Sequence, residues 1–143
     1  MNEDAARRYV RIAEHDYRVV GLLLAACSGQ KNSEDVTDWQ VALLFYILCL
    51  QVKALAVCRG KELQDHYAVK QWLNVQTELC GVARSYRKIE EWSRDARYEG
   101  RRFNPCELSR FAQWFSEVHC CLSALLKKEG VEPSSLIDVT AVF

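Results

Sequence analysis

Apolar residues recur every three or four positions along five long segments of this chain, and this α-helical period constrains the fold more than any other feature. In the last of these segments the repeat comprises Leu108, Phe111, Phe115, Val118 and Leu122. No alternation of apolar and polar residues, as expected for a half-buried strand, appears before Ser135. The sequence therefore predicts an all-α protein.

We predict helices over residues 4–27, 36–59, 65–80, 82–102 and 105–129, within a single domain that covers residues 1–143. Short connections place sequential helices side by side in opposite directions, so the predicted architecture is an up-and-down bundle of about five antiparallel helices. The apolar tail, residues 131–143, is compatible with an ordered strap, a docking strand or a frayed end.

Local signals support several of these helix boundaries. Asp65 is a predicted N-cap, and Asn104 with Pro105 and Glu107 has the spacing of a capping box with proline at the first helical position. Glycines 29, 60, 81 and 130 follow the predicted helices and are expected to end them.

The second predicted helix is apolar almost all round, from residue 41 to residue 58. Its length and composition suit a membrane span, but Gln51 and Lys53 interrupt it near the middle, where a charge is costly in a bilayer. The central helix of a bundle explains the same composition. We therefore expect no membrane association.

The chain carries 19 basic and 19 acidic residues, so its formal net charge is zero, which disfavours a generic nucleic-acid binder. The fourth predicted helix nevertheless has a basic face. Its candidate ligand-binding residues are Arg87, Arg94, Arg97 and Arg101, whose spacing of three or four would let them reach phosphates in one groove. The alternative is a solvated face paired with the interleaved acidic residues.

Seven cysteines occur without a CxxC pair, and residues 1–8 lack the apolar stretch of a secretory signal. We expect reduced core thiols in a cytoplasmic protein. A metal site built from Cys106, His119, Cys120 and Cys121 is disfavoured because adjacent helical residues point about 100° apart. No nucleotide-loop, metalloprotease or di-iron motif is present, so no metal or cofactor is predicted.

Two histidines are candidate catalytic residues. His66 follows Asp65 at a predicted helix start, where a carboxylate–imidazole pair can act in catalysis although capping is the commoner role. His119 lies on the apolar stripe of the last helix, where a hydrogen-bonded core histidine is the commoner interpretation.

The stretch from Leu44 to Ala56, followed by Arg59-Gly60 and then Asp65-His66, resembles the second helix of HEPN domains (higher eukaryotes and prokaryotes nucleotide-binding). Residues 95–98, Asp-Ala-Arg-Tyr, resemble the small-residue-plus-tyrosine turn before that family's final helix, and the order of elements is similar over about residues 5–129. The resemblance implies a bundle of about five helices, frequently dimeric, that often works beside a nucleotidyltransferase as a toxin–antitoxin pair.

Catalytic members of that family are metal-independent ribonucleases with an arginine four to six residues before a histidine in the last helix. Counted back from His119, those positions hold Ala112, Gln113 and Trp114, so this chain departs from the signature. We therefore predict a non-catalytic HEPN-like module that binds a partner protein, a nucleotide or RNA phosphate. The alternatives are a diverged ribonuclease that uses His66 or His119, and a structural dimerisation domain.

Assembly is predicted from the large aromatic residues. Trp39, Trp72, Trp92 and Trp114 are more tryptophans than one small core usually hides completely. We expect some of them to line the contact of a homodimer.

Overall fold

The computed structural model describes residues 3–27 and 37–132, and these residues form five α-helices and no strand. The helices are α1 (Glu3–Cys27), α2 (Thr37–Cys58), α3 (His66–Val75), α4 (Ala83–Tyr98) and α5 (Pro105–Lys128), with a short 3₁₀ helix (Thr77–Leu79) between α3 and α4. The predicted all-α bundle is confirmed. Gly29 and most of the tail, residues 133–143, lie outside the described residues.

Helix α2 is the centre of the bundle and packs against each of the other four helices. It is apolar on every side, and 15 of its 22 residues are buried. Among the described residues it alone has the length and composition of a membrane span, and 72% of its most apolar stretch is buried in the protein. Its position in the core accounts for that composition, as predicted.

Contacts between helices establish their directions. Near the end of α4, Arg97 Nη1 donates to Tyr46 Oη at 2.7 Å. Near the start of α4, Tyr86 Oη lies 3.2 Å from the sulfur of Cys49, which is further along α2, so these two helices are antiparallel. Helices α4 and α5 are also antiparallel, because Ser85 Oγ donates to Glu117 near the opposite end from the α4–α5 connection. Helix α5 consequently runs parallel to α2, with both lying against α4.

The third helix is shorter than predicted. It ends at Val75 rather than at residue 80, because Gln76 adopts an extended conformation (φ −82°, ψ 116°) and the chain continues as the 3₁₀ helix. The β-branched side chains of Val75 and Thr77 disfavour a continued α-helix. The break places Leu79 fully inside the core.

The fourth helix also ends earlier than predicted, at Tyr98 rather than at residue 102. Gly100 has a left-handed conformation (φ 62°), which a residue without Cβ adopts freely, and the backbone N–H groups of Glu99 and Arg101 both donate to the Asp95 carbonyl. The helix was predicted to continue to residue 102 because the basic pattern of Arg97, Arg101 and Arg102 extends across Gly100.

Other boundary signals are confirmed. Asp65 accepts a hydrogen bond from the Ala68 N–H at 2.7 Å, and Asn104 and Glu107 form a reciprocal capping box at the start of α5. Gly60 and Gly130 follow α2 and α5 with φ of 76° and 81°.

The interior contains one buried polar pair that links α2 to α5. His119 is 6% exposed and stacks on Phe115, and its Nδ1 lies within hydrogen-bond distance of the Gln51 side-chain amide, 2.9 Å from Nε2 and 3.1 Å from Oε1. Burial lowers the pKa of His119 to about 4. The structure thus gives His119 the position of a hydrogen-bonded core residue.

This buried histidine should make stability depend on pH. Between pH 6.5 and about 4 the unfolded chain protonates His119 and the folded chain does not, so the free energy of unfolding should fall as pH falls, by about 3 kcal/mol at the lower end. Urea unfolding from pH 4 to pH 8 measures this decline. His119→Gln, which keeps an amide for Gln51, should show a smaller decline; equal declines in both proteins would contradict the assignment.

Candidate functional site

A pocket of about 300 Å³ opens where α2, α3 and α4 meet. Helix α2 supplies its buried floor, and the other two helices supply its polar and aromatic walls. The lining residues are Phe45 from α2, His66, Tyr67 and Lys70 from α3, and Glu90, Arg94, Arg97 and Tyr98 from α4. Their spacing of three and four places the side chains of each helix on one face.

Arg97 is the most firmly held cation of the pocket. Its Nη1 donates to Tyr46 Oη and its Nε to the Ser93 carbonyl, and the guanidinium lies 5.2–5.7 Å from the ring centroids of Phe45, Tyr46 and Tyr98. Aromatic faces attract a cation without neutralising it. A positive charge is therefore positioned here in advance.

The pocket is locally positive in a neutral protein. Lys70 pairs with Glu90 at 3.3 Å, whereas neither Arg94 nor Arg97 forms an ion pair with any residue of the described ranges. Three cations against one carboxylate leave a net charge of two positive units. An anion that enters the pocket meets two guanidinium groups that form no ion pair with a carboxylate of the described residues.

His66 lies at the pocket wall with its ring in contact with Phe45 and Tyr46, at centroid distances of 5.4 and 5.6 Å. Burial, together with the charges of Arg97 and Lys53, lowers the pKa of His66 below its ordinary value. The imidazole is consequently neutral at physiological pH.

Behind the pocket, His66 is linked through Cys49 to the buried Tyr86 hydroxyl. Cys49 Sγ lies 3.2 Å from Tyr86 Oη and 3.2 Å from His66 Nδ1, and burial raises the pKa of the Cys49 thiol to about 11. If Tyr86 donates to the sulfur and the thiol donates to Nδ1, both buried donors are satisfied. In that arrangement the ring proton of His66 is on Nε2.

Only part of the predicted basic face reaches this pocket. Arg94 and Arg97 line it, whereas Arg87 is exposed and lies outside its lining. Arg101 is engaged within the fold: it pairs with Asp95 and Glu107, and its guanidinium lies 4.4 Å from the Trp92 ring centroid and 4.9 Å from that of Phe103. Of the four predicted arginines, Arg94 and Arg97 therefore share this pocket, while Arg101 lies beyond the end of α4 at Tyr98.

Five residues that line the pocket were not predicted as site residues: Phe45, Tyr67, Lys70, Glu90 and Tyr98. The i, i+4 spacing of His66 and Lys70 on one helix was a readable signal. The packing of α3 against α4 could not be predicted from the sequence, because helix periodicity does not specify which helices pack together.

The cysteine prediction is partly wrong. Cys49 and Cys58 are buried, but Cys80, Cys106 and Cys120 are exposed and Cys121 is half-buried. Cys80 is exposed because it lies in the turn before α4, and Cys106 because it lies in the first turn of α5. Cys120 lies on the outer side of α5. All six are free thiols, and the described part of the chain has no group of three potential metal ligands.

Comparison of the chain with protein-family models, with curated proteins and with solved structures found no match.

The contacts of Arg101 predict a structural role. Arg101→Ala removes two ion pairs and two cation–π contacts between the end of α4 and the start of α5, so the free energy of unfolding should drop by about 1–2 kcal/mol. Chemical denaturation measures the change. Arg87→Ala, an exposed arginine of the same helix, is the matched control and should shift stability by less than about 0.5 kcal/mol. Equal losses in the two variants would contradict this role.

Proposed function

We propose that the chain is a binding module for nucleotides, either free or as units of single-stranded RNA, with the pocket between α2, α3 and α4 as the site. The single observation that carries the proposal is the Arg97 guanidinium, held among aromatic rings rather than carboxylates in a pocket that also contains Arg94. Guanidinium groups bind phosphate through two parallel hydrogen bonds, which suits a phosphorylated ligand.

Exposed aromatic residues support a ligand with a base. Tyr67 is 70% exposed and Tyr98 is 73% exposed, and both line the pocket. Bases stack on such rings in single-stranded nucleic-acid sites, where a cationic groove holds the phosphates. His66, which lines the same pocket, adds a group able to hydrogen-bond to the ligand.

The leading function remains a non-catalytic HEPN-like module, as the family resemblance implies. A cytoplasmic location, a nucleotidyltransferase partner and a toxin–antitoxin context belong to the same proposal. A homodimer does too; of the four tryptophans, Trp92 is buried, Trp72 and Trp114 are half-buried, and Trp39 is 62% exposed. A purely structural dimerisation domain would leave the cationic pocket without a role.

The ribonuclease alternative is supported by one observation. The fold brings His66 and Arg97 into the same pocket from different helices, although no arginine precedes a histidine at the family's spacing in α5. A neutral imidazole is a suitable base, and a guanidinium stabilises charge on a phosphate. The chain has three histidines, however, and His15 and His119 lie elsewhere, so the pocket holds a single imidazole.

Binding should depend on Arg94 and not on Arg87. Arg94→Glu places a negative charge in the pocket, so we expect at least a tenfold loss of affinity for a fluorescein-labelled ten-nucleotide RNA, measured by anisotropy. Arg87→Glu makes the same charge change on the same helix outside the pocket and should retain most of the affinity. If Arg94 binds one phosphate, its replacement should make the slope of log affinity against log salt concentration less steep by about 0.7.

Equal affinity in the two variants would contradict the proposed site. Circular dichroism and thermal unfolding check that both variants stay folded, as expected for exposed substitutions.

We expect no ribonuclease activity. A structured and an unstructured RNA, incubated with the protein in the presence of a chelator, should remain intact because the three signature positions before His119 hold Ala112, Gln113 and Trp114 instead of an arginine. Cleavage that His66→Ala abolishes and His15→Ala leaves unchanged would replace the binding module with the ribonuclease.

A further inference from the structure

A second pocket, of about 270 Å³, adjoins the first on the other side of Arg97 and Tyr98. Its remaining wall comes from the start of α2 and from Ala96. Arg97 and Tyr98 line both pockets, so they form the boundary between them. A ligand that extends from one pocket into the other lies against these two residues.

The exposed aromatic residues are concentrated at these two pockets. Among the described residues, the large aromatic side chains that are strongly exposed are Trp39, Tyr67 and Tyr98. Tyr67 lines the first pocket, Trp39 lines the second, and Tyr98 lines both. Each pocket thus has its own exposed ring, with Tyr98 between them, which is the arrangement expected for stacking successive bases.

The charges differ between the pockets. Arg94 and Lys70 belong to the first, whereas the second contains the carboxylate of Asp38, which accepts a hydrogen bond from the backbone N–H of Trp39 at 2.9 Å. A phosphate is repelled by Asp38 and attracted by Arg97. The amino group of a base, by contrast, donates favourably to a carboxylate. The second pocket therefore suits a base rather than a phosphate.

We propose that the ligand is a single-stranded oligonucleotide, of which at least two nucleotides bind at once. One base occupies the pocket of Tyr67, the next stacks on Trp39, and the phosphodiester that links them lies at Arg97. This inference rests on the proposed nucleotide-binding function and specifies its ligand as an oligonucleotide.

The test compares a nucleoside 5′-monophosphate with the 5′-phosphorylated dinucleotide of the same base, by isothermal titration calorimetry on the full chain. We expect the dinucleotide to bind at least tenfold more tightly. Trp39→Ala should remove that gain and leave the affinity for the monophosphate unchanged, while Trp39→Phe should keep most of it because a ring remains. Val75→Ala, an exposed apolar residue outside both pockets, is the control and should bind both ligands as the wild type does.

Several results would overturn the inference. Equal affinity of the wild type for the two ligands, or an equal loss of both in Trp39→Ala, would show that the second pocket takes no base. A change from dimer to monomer in Trp39→Ala with unchanged dinucleotide affinity would assign Trp39 to a second copy of the chain. Failure of the wild type to bind either ligand would refute the proposed function itself, whereas binding of the monophosphate alone would refute only this extension.

Discussion

A helix that is apolar on every side must be covered on every side, and α2 imposes this requirement on the whole bundle. Its buried residues contact each of the other four helices, so removing the apolar surface of one helix from water organises all the rest. Because α2 is central, any polar group it carries must find a partner on a neighbouring helix or remain unsatisfied in the core. That condition applies to Gln51, Cys49 and Tyr46.

Each of these polar residues is paired across a helix interface, and the pairs lead from the core to the candidate site. Gln51 bonds to His119 in the interior of the bundle, away from the pocket lining. Cys49 bonds to His66 and to Tyr86, and Tyr46 accepts a hydrogen bond from Arg97. The groups that orient the pocket's imidazole and guanidinium are therefore attached to the most completely buried helix, which favours preorganised binding.

The arginines of α4 and the segment after it show how one residue type serves different purposes. Arg101 is engaged by two carboxylates and two aromatic rings beyond the bend at Gly100, so its charge is used to join α4 to α5. Arg97 instead contacts aromatic rings, a hydroxyl and a carbonyl, so its charge remains available. Arg97 and Arg101 are equivalent by their spacing in the sequence, but in the structure only Arg101 is paired with carboxylates of the described residues.

The sequence by itself determined the helical class, the number of helices, the central place of α2 and the caps at Asp65 and Asn104, because periodicity and capping are local properties. It also pointed to His66, Arg94 and Arg97 as residues of interest. Only the tertiary structure decided that they share a pocket with Lys70 and Tyr67, and that Arg101 does not. The reason is that a helical repeat specifies which face of a helix is buried but not which neighbouring helix covers it. The pocket forms where α2, α3 and α4 meet, so its lining depends on how all three helices pack.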